Sequence, residues 1–101
     1  MSLKYVSGTF TDNGSSSQIE IKQRAIAFIG ASGGTTFGAG TVTIELMSPT
    51  GAWCASQQVA SSSDVLAIDA VIPTVARLTL SGATTPDIDY AIQSDAENLV
   101  E

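Results

Sequence analysis

Apolar residues recur with a period of two through most of this chain. Val42, Ile44 and Leu46 alternate with Thr41, Thr43 and Glu45, so a strand there has one apolar and one polar face. Leu78 and Leu80 set against Arg77 and Thr79 repeat the pattern, as do Ile88, Tyr90 and Ile92 set against Asp89 and Ala91. Within 18–29, Ile19 and Ile21 share one parity while Ile26 and Phe28 fall on the other. A bulge near 23–25 is the expected reconciliation, because one extra residue reverses the facing of everything after it. The run 65–72 reads with Leu66, Ile68, Ala70 and Ile72 inward, and weaker strands are expected over 3–10 and 53–59.

Turn chemistry separates these runs. Asn13-Gly14, Ser48-Pro49-Thr50-Gly51, Ser61-Ser62-Ser63-Asp64, Pro73 and the stretch Gly82 to Pro86 interrupt the strands where a fixed or positive φ is wanted. Gly30 to Gly40, with five glycines in eleven positions, reads as one long flexible loop, since each glycine costs a helix about 1 kcal/mol. Short strands at spacings of about ten residues predict an all-β fold, an antiparallel β-sandwich (jelly-roll or Ig-like) of about seven strands. The helical signal is confined to the end, where Ser94-Asp95-Ala96-Glu97 fits a capping box. Residues 1–93 are therefore expected as a single sandwich domain and 94–101 as a short acidic C-terminal tail.

Composition then removes most chemistry. The chain has 101 residues, 44% of them hydrophobic, which suits one domain able to bury about 64% of its unfolded surface. Lys+Arg number 4 against Asp+Glu 10, a net charge of -6, so its field repels phosphate backbones and anionic lipid and no nucleic-acid partner is expected. Histidine is absent and Cys54 is the single cysteine, which removes imidazole base catalysis, Cys/His zinc sites and intrachain disulfides. The expectation is a protein that is not an enzyme and needs no cofactor or metal. The longest apolar runs fall far short of the ~20 residues of a spanning helix, and the start has no signal-peptide core, so no membrane partner and synthesis in the cytoplasm are expected.

Several local patterns carry a chemical reading beside a plain one. Gly30-Ala31-Ser32-Gly33-Gly34 matches a nucleophile elbow, but no helical period follows it and no histidine is available as base; a flexible loop is the better reading. Asp87 and Asp89 lie on one side of a strand, a fragment of a calcium site at most, and are expected to face solvent. Asn13-Gly14-Ser15 is formally a glycosylation acceptor and also the strongest short hairpin dipeptide; the turn is preferred. Trp53 is expected in the core or packed at an edge, an exposed position making it an interface anchor. Cys54 is expected to be a small buried hydrophobe.

From Gly38 onward the order of features resembles a family of small virion proteins of tailed bacteriophages. The likeness lies in Phe37-Gly38-Ala39-Gly40-Thr41-Val42-Thr43-Ile44-Glu45-Leu46, in Ser48-Pro49-Thr50-Gly51 leading to Trp53, and in Ala76-Arg77-Leu78-Thr79-Leu80-Ser81-Gly82-Ala83-Thr84-Thr85-Pro86-Asp87-Ile88. Together they span about half the chain, with Thr50 where that family's turn usually has Asp. The resemblance implies a structural virion protein on the capsid exterior that binds the major capsid protein or other virion proteins and decorates or cements the head. It also implies a homo-oligomer, a trimer being favoured. The alternative is a receptor- or glycan-binding module of a phage fibre or adhesin. Contact residues expected from the sequence are Leu3, Tyr5 and Phe10 in the first segment, Phe37 in the glycine-rich loop, and Leu99 and Val100 in the tail.

Overall fold

A computed structural model describes residues 3–30 and 35–97, the side chains of residues 3, 96 and 97 excepted. Nine strands follow one another: β1 (Leu3–Phe10), β2 (Gly14–Ser15), β3 (Ile19–Ile21), β4 (Arg24–Ile29), β5 (Thr41–Met47), β6 (Trp53–Ala60), β7 (Asp64–Asp69), β8 (Thr74–Ser81) and β9 (Ile88–Glu97). They form two antiparallel sheets, one in the order β1-β9-β4-β7 and the other β2-β8-β5-β6, with β3 also on β8.

The pairing is nested. β1 pairs with β9, β2 and β3 with β8, β4 with β7, and β5 with β6, as though one long hairpin had been rolled onto itself. Because β2 and β3 lie along the same edge of β8, they act as one interrupted strand, and the nine segments make the eight-stranded jelly roll. The immunoglobulin alternative, which groups strands A, B, E and D against C, F and G, does not have this nesting.

The period-two alternation becomes the core. Val42, Ile44, Leu78, Leu80, Ile88 and Ile92 are buried between the sheets with Ile19, Ile21, Ala27 and Ile29. Tyr90 lies against Phe10, ring centroids 4.7 Å apart, and Gly8 makes room for it, since a Cβ there would meet the Tyr90 hydroxyl at 2.7 Å.

The parity change near residue 23 has a different cause from the bulge expected. The chain leaves one sheet at Ile21 and joins the other at Arg24, so each half keeps its own inward face. Asn13-Gly14 is likewise a crossing between sheets and not a hairpin turn: β1 and β2 belong to different sheets. The Asn13 side chain accepts from the Ala83 amide at 2.9 Å and donates to the Ala83 carbonyl at 3.0 Å. By contrast 48–52 does form a hairpin loop, with the Gly51 amide donating to the Ser48 carbonyl at 3.0 Å.

Two further expectations are corrected. Ser94 to Glu97 continue β9 as strand, paired at Ala25↔Ser94 and Leu3↔Glu97, so the tail does not begin at residue 94. A capping box is a local signal, and a neighbouring strand on each side outweighs it. The seventh strand stops at Asp69, leaving Ala70 half-buried and Ile72 exposed instead of inward.

Candidate functional site

Among the described residues no catalytic constellation gathers at one place; the notable side chains are spread over the two ends and two outer faces. One end carries the connections 11–13, 35–40, 61–63 and 82–87 with Gly30, and the other carries 22–23, 48–52 and 70–73 together with the start of β1 and the end of β9. At this second end Val71 is 70% and Ile72 67% exposed. Val71 has φ 67°, a left-handed conformation that a β-branched residue enters only at a cost of about 1–2 kcal/mol. Its amide donates to Asp69 Oδ1 at 3.2 Å, and the Ala70 amide donates to the Gln23 carbonyl at 2.7 Å. The loop is thus held while it displays two hydrophobic side chains. Beside it runs an open groove of ≈ 480 Å³ lined largely by apolar residues, Met47, Pro49, Ile72 and Pro73 among them.

The same end is fastened by one carboxylate. Asp95 on β9 accepts hydrogen bonds from the backbone amides of Lys22, Gln23 and Arg24 at 2.9–3.1 Å, which satisfies the donors freed where the chain changes sheets. Desolvation pushes its carboxyl up, but the amides of Gln23, Arg24 and Lys22 and its own outweigh that and leave it below the usual range.

On the outer face of the second sheet, Trp53 is half-buried and the Arg77 guanidinium lies 4.2 Å from its ring centroid. Glu45 Oε1 accepts from Thr79 Oγ1 at 2.5 Å and from Arg77 Nε at 2.8 Å. The Thr79 hydroxyl and then Arg77 hold the Glu45 carboxyl below its ordinary value against a smaller desolvation effect. A carboxylate so held stays ionised near neutral pH and is a poor general acid. What the cluster offers is a flat aromatic and guanidinium surface with a fixed hydrogen-bond acceptor.

The residues expected to make contacts divide. Tyr5 is 70% exposed on the outer face of the first sheet. Phe10 is buried against Tyr90 and is a core residue, because its even parity on β1 points it between the sheets. Phe37 packs half-buried against the core. The Leu3 side chain, Leu99, Val100 and Ser32 lie outside the described residues. Cys54 is exposed, not buried, on β6, the edge strand of its sheet. Asp87 is exposed, and Asp89 accepts from Thr9 Oγ1 at 2.8 Å. Among the described residues no group of three or more His, Cys, Asp or Glu could hold a metal ion.

The sequence singled out nothing at Val71, assigned Ile72 to the core and placed Asp95 in a capping box. Pro73 was the signal for the first two, since a residue before proline avoids helix and a proline interrupts a ladder. The parity change at residue 23 marked the place that Asp95 fastens.

No family model, curated protein or solved structure matches the chain.

Proposed function

We propose that this protein is a structural component of a tailed-phage virion that decorates or cements the capsid exterior, docking through the end of the sandwich that carries loops 48–52 and 70–73. The observation behind this reading is the pair Val71 and Ile72, displayed from a loop whose backbone is tied at Asp69 and Gln23. Exposed hydrophobic side chains on a held loop, next to an apolar groove, are what an adhesive surface requires. The strand-and-turn likeness in 37–46, 48–53 and 76–88 supports the virion setting, and jelly rolls house capsid domains. That support is analogy at the level of fold.

The test adds purified protein to capsids that lack it and follows their resistance to heat and to chelators. Binding with increased resistance, lost in Val71→Asp and Ile72→Asp, is the expected result. Capsids that neither bind it nor gain resistance overturn the reading.

Trp53 favours a second reading, a glycan-binding module, because jelly rolls also house lectin domains and Glu45 is a fixed acceptor for hydroxyl groups beside an aromatic ring. Binding of the isolated protein to sugars, abolished by Trp53→Ala and untouched by Ile72→Asp, distinguishes it from docking at the loop end.

A further inference from the structure

The outer face of the sheet β1-β9-β4-β7 is apolar where a solvated sheet face is ordinarily polar. Reading across strands in register, one row is Tyr5–Gln93–Ile26–Ala67 and the next is Ser7–Ala91–Phe28–Val65. Ile26 is 42% and Val65 57% exposed. Neither row contains a charge; Arg24, Asp69 and Asp95 border them at one end, and Asp89 at the other. At the Arg24 end a trough of ≈ 530 Å³ runs between Ile26, Ala67 and Gln93, while Tyr5 projects on the far edge of the same sheet.

We infer that this face pairs with the same face of a second copy about a two-fold axis parallel to the strands between β9 and β4. The face is self-complementary under that operation and no other occupant need be invoked. The axis lays β1 over the second copy's β7 and β9 over its β4. Each row then meets itself reversed: Tyr5 falls over Ala67, Phe28 over Ala91 and Val65 over Ser7, large against small, while at the remaining step Gln93 falls over Ile26. The Tyr5 ring fills the trough beside Ala67, twice by symmetry. Arg24 comes opposite the second copy's Asp95, so the border supplies two reciprocal opposite-charge pairs that offset part of the repulsion between two copies of net charge -6.

Four strands at about 4.8 Å spacing and six residues at about 3.3 Å rise cover on the order of 400 Å². That is about half of the ~800 Å² per partner of a standard interface. The pairing is therefore a concentration-dependent dimer in the micromolar range or weaker, not an obligate one. It is independent of the head-decoration reading and leaves the 70–73 loop end free.

Sedimentation equilibrium of the full chain over about 10 µM to 1 mM tests it. A monomer–dimer equilibrium is expected for the unaltered protein. Tyr5→Ala, which removes the knob, and Ala67→Tyr, which fills the hole, each weaken association about tenfold. Both positions are exposed, so circular dichroism remains that of the parent. The double variant Tyr5→Ala/Ala67→Tyr exchanges knob and hole across the two-fold and regains most of the lost affinity, which a merely general loss of apolar surface would not produce. A monomer throughout the range, a trimer, a dimer indifferent to both single changes, or a double variant as weak as the two losses combined overturns the inference.

Discussion

At the end formed by 11–13, 35–40, 61–63 and 82–87, Phe37 and Ala83 pack against the core and Pro86 is buried, whereas at the opposite end Val71 and Ile72 stand in solvent. Looseness does not explain the contrast, because both ends are tied. The first is knitted loop to loop by backbone pairs: Thr36 with Asp87 in both directions, and the Thr84 amide to the Gly38 carbonyl at 2.9 Å. The Asn13 side chain joins Ala83, and Ser63 Oγ donates to the Gly30 carbonyl at 3.3 Å. The second end is held by the Asp95 carboxylate, by Ala70 to Gln23, and by Thr74 Oγ1 donating to the Met47 carbonyl at 3.0 Å. One end has closed over its hydrophobic residues; the other is braced with them outward, which is the feature on which the proposed docking rests.

The largest test of the comparison is Gly38→Val. Gly38 has φ 58° and lies against the Thr84 backbone, where a Cβ has no room. Left-handed strain and overpacking together should cost about 3 kcal/mol in urea unfolding. An unchanged midpoint would mean that the Gly38–Thr84 contact does not hold this end together. Asn13→Ala comes next: it removes both bonds to Ala83 and should cost about 1 kcal/mol, because the groups it leaves are exposed and water replaces part of what is lost. A loss as large as that of Gly38→Val would shift the knitting from the backbone pairs to this one side chain.

How far the sequence carried the fold depends on whether a signal was local. Alternation at 41–46 and 76–80 is local and located the β5 and β8 core directly. The hairpin at 48–52 was legible for the same reason. The parity reversal at residue 23 was legible too, but a bulge and a change of sheet produce the same reversal, and only the pairing of β3 with β8 and of β4 with β9 separates them. Ser94 to Glu97 misled because a capping box is read within four residues, whereas the strand there is decided by partners about 70 and 90 residues away. The candidate surfaces were least legible. Whether Ile72 faces core or solvent depends on where β7 stops, and Trp53 meets Arg77 only because β5 lies between their strands.

Val71→Gly probes the braced end with a smaller effect. Relief of about 1–2 kcal/mol of left-handed strain is partly offset by about 0.5–1 kcal/mol of glycine's extra chain entropy. The net gain should be about 0.5 kcal/mol, seen as a slightly higher urea midpoint, and under the proposed function it comes with weaker docking to capsids. Destabilisation instead would show that Val71 packs on its own protein and is not displayed for a partner.

The last difference between the ends lies in how each answers to acid. The ties at the knitted end run through backbone groups, an amide and a hydroxyl, none of which titrates. The braced end depends on Asp95, whose carboxyl is lowered in the folded chain from about 3.9 when unfolded. A group lowered on folding contributes its stability above the unfolded value and loses it as pH falls through the folded one. Acidifying below about pH 4 should therefore quicken amide exchange at Gln23 and Arg24 while leaving Thr84 and Ala83 protected. Asp95→Asn turns one of the two acceptor oxygens into an amide donor, so at neutral pH it should lower the melting temperature by about as much as the loss of stability that acid causes at this site in the parent. Its signature is a shallower loss of stability in acid than the parent shows, measured by melting at successive pH values. Because Glu20 and Glu45 are also lowered, by Lys4 and by Thr79 with Arg77 respectively, the acid limb shrinks in the variant without vanishing. If the two chains lose stability in parallel, the braced end is held by its backbone bonds alone, and the two ends differ only in which way their hydrophobic residues point.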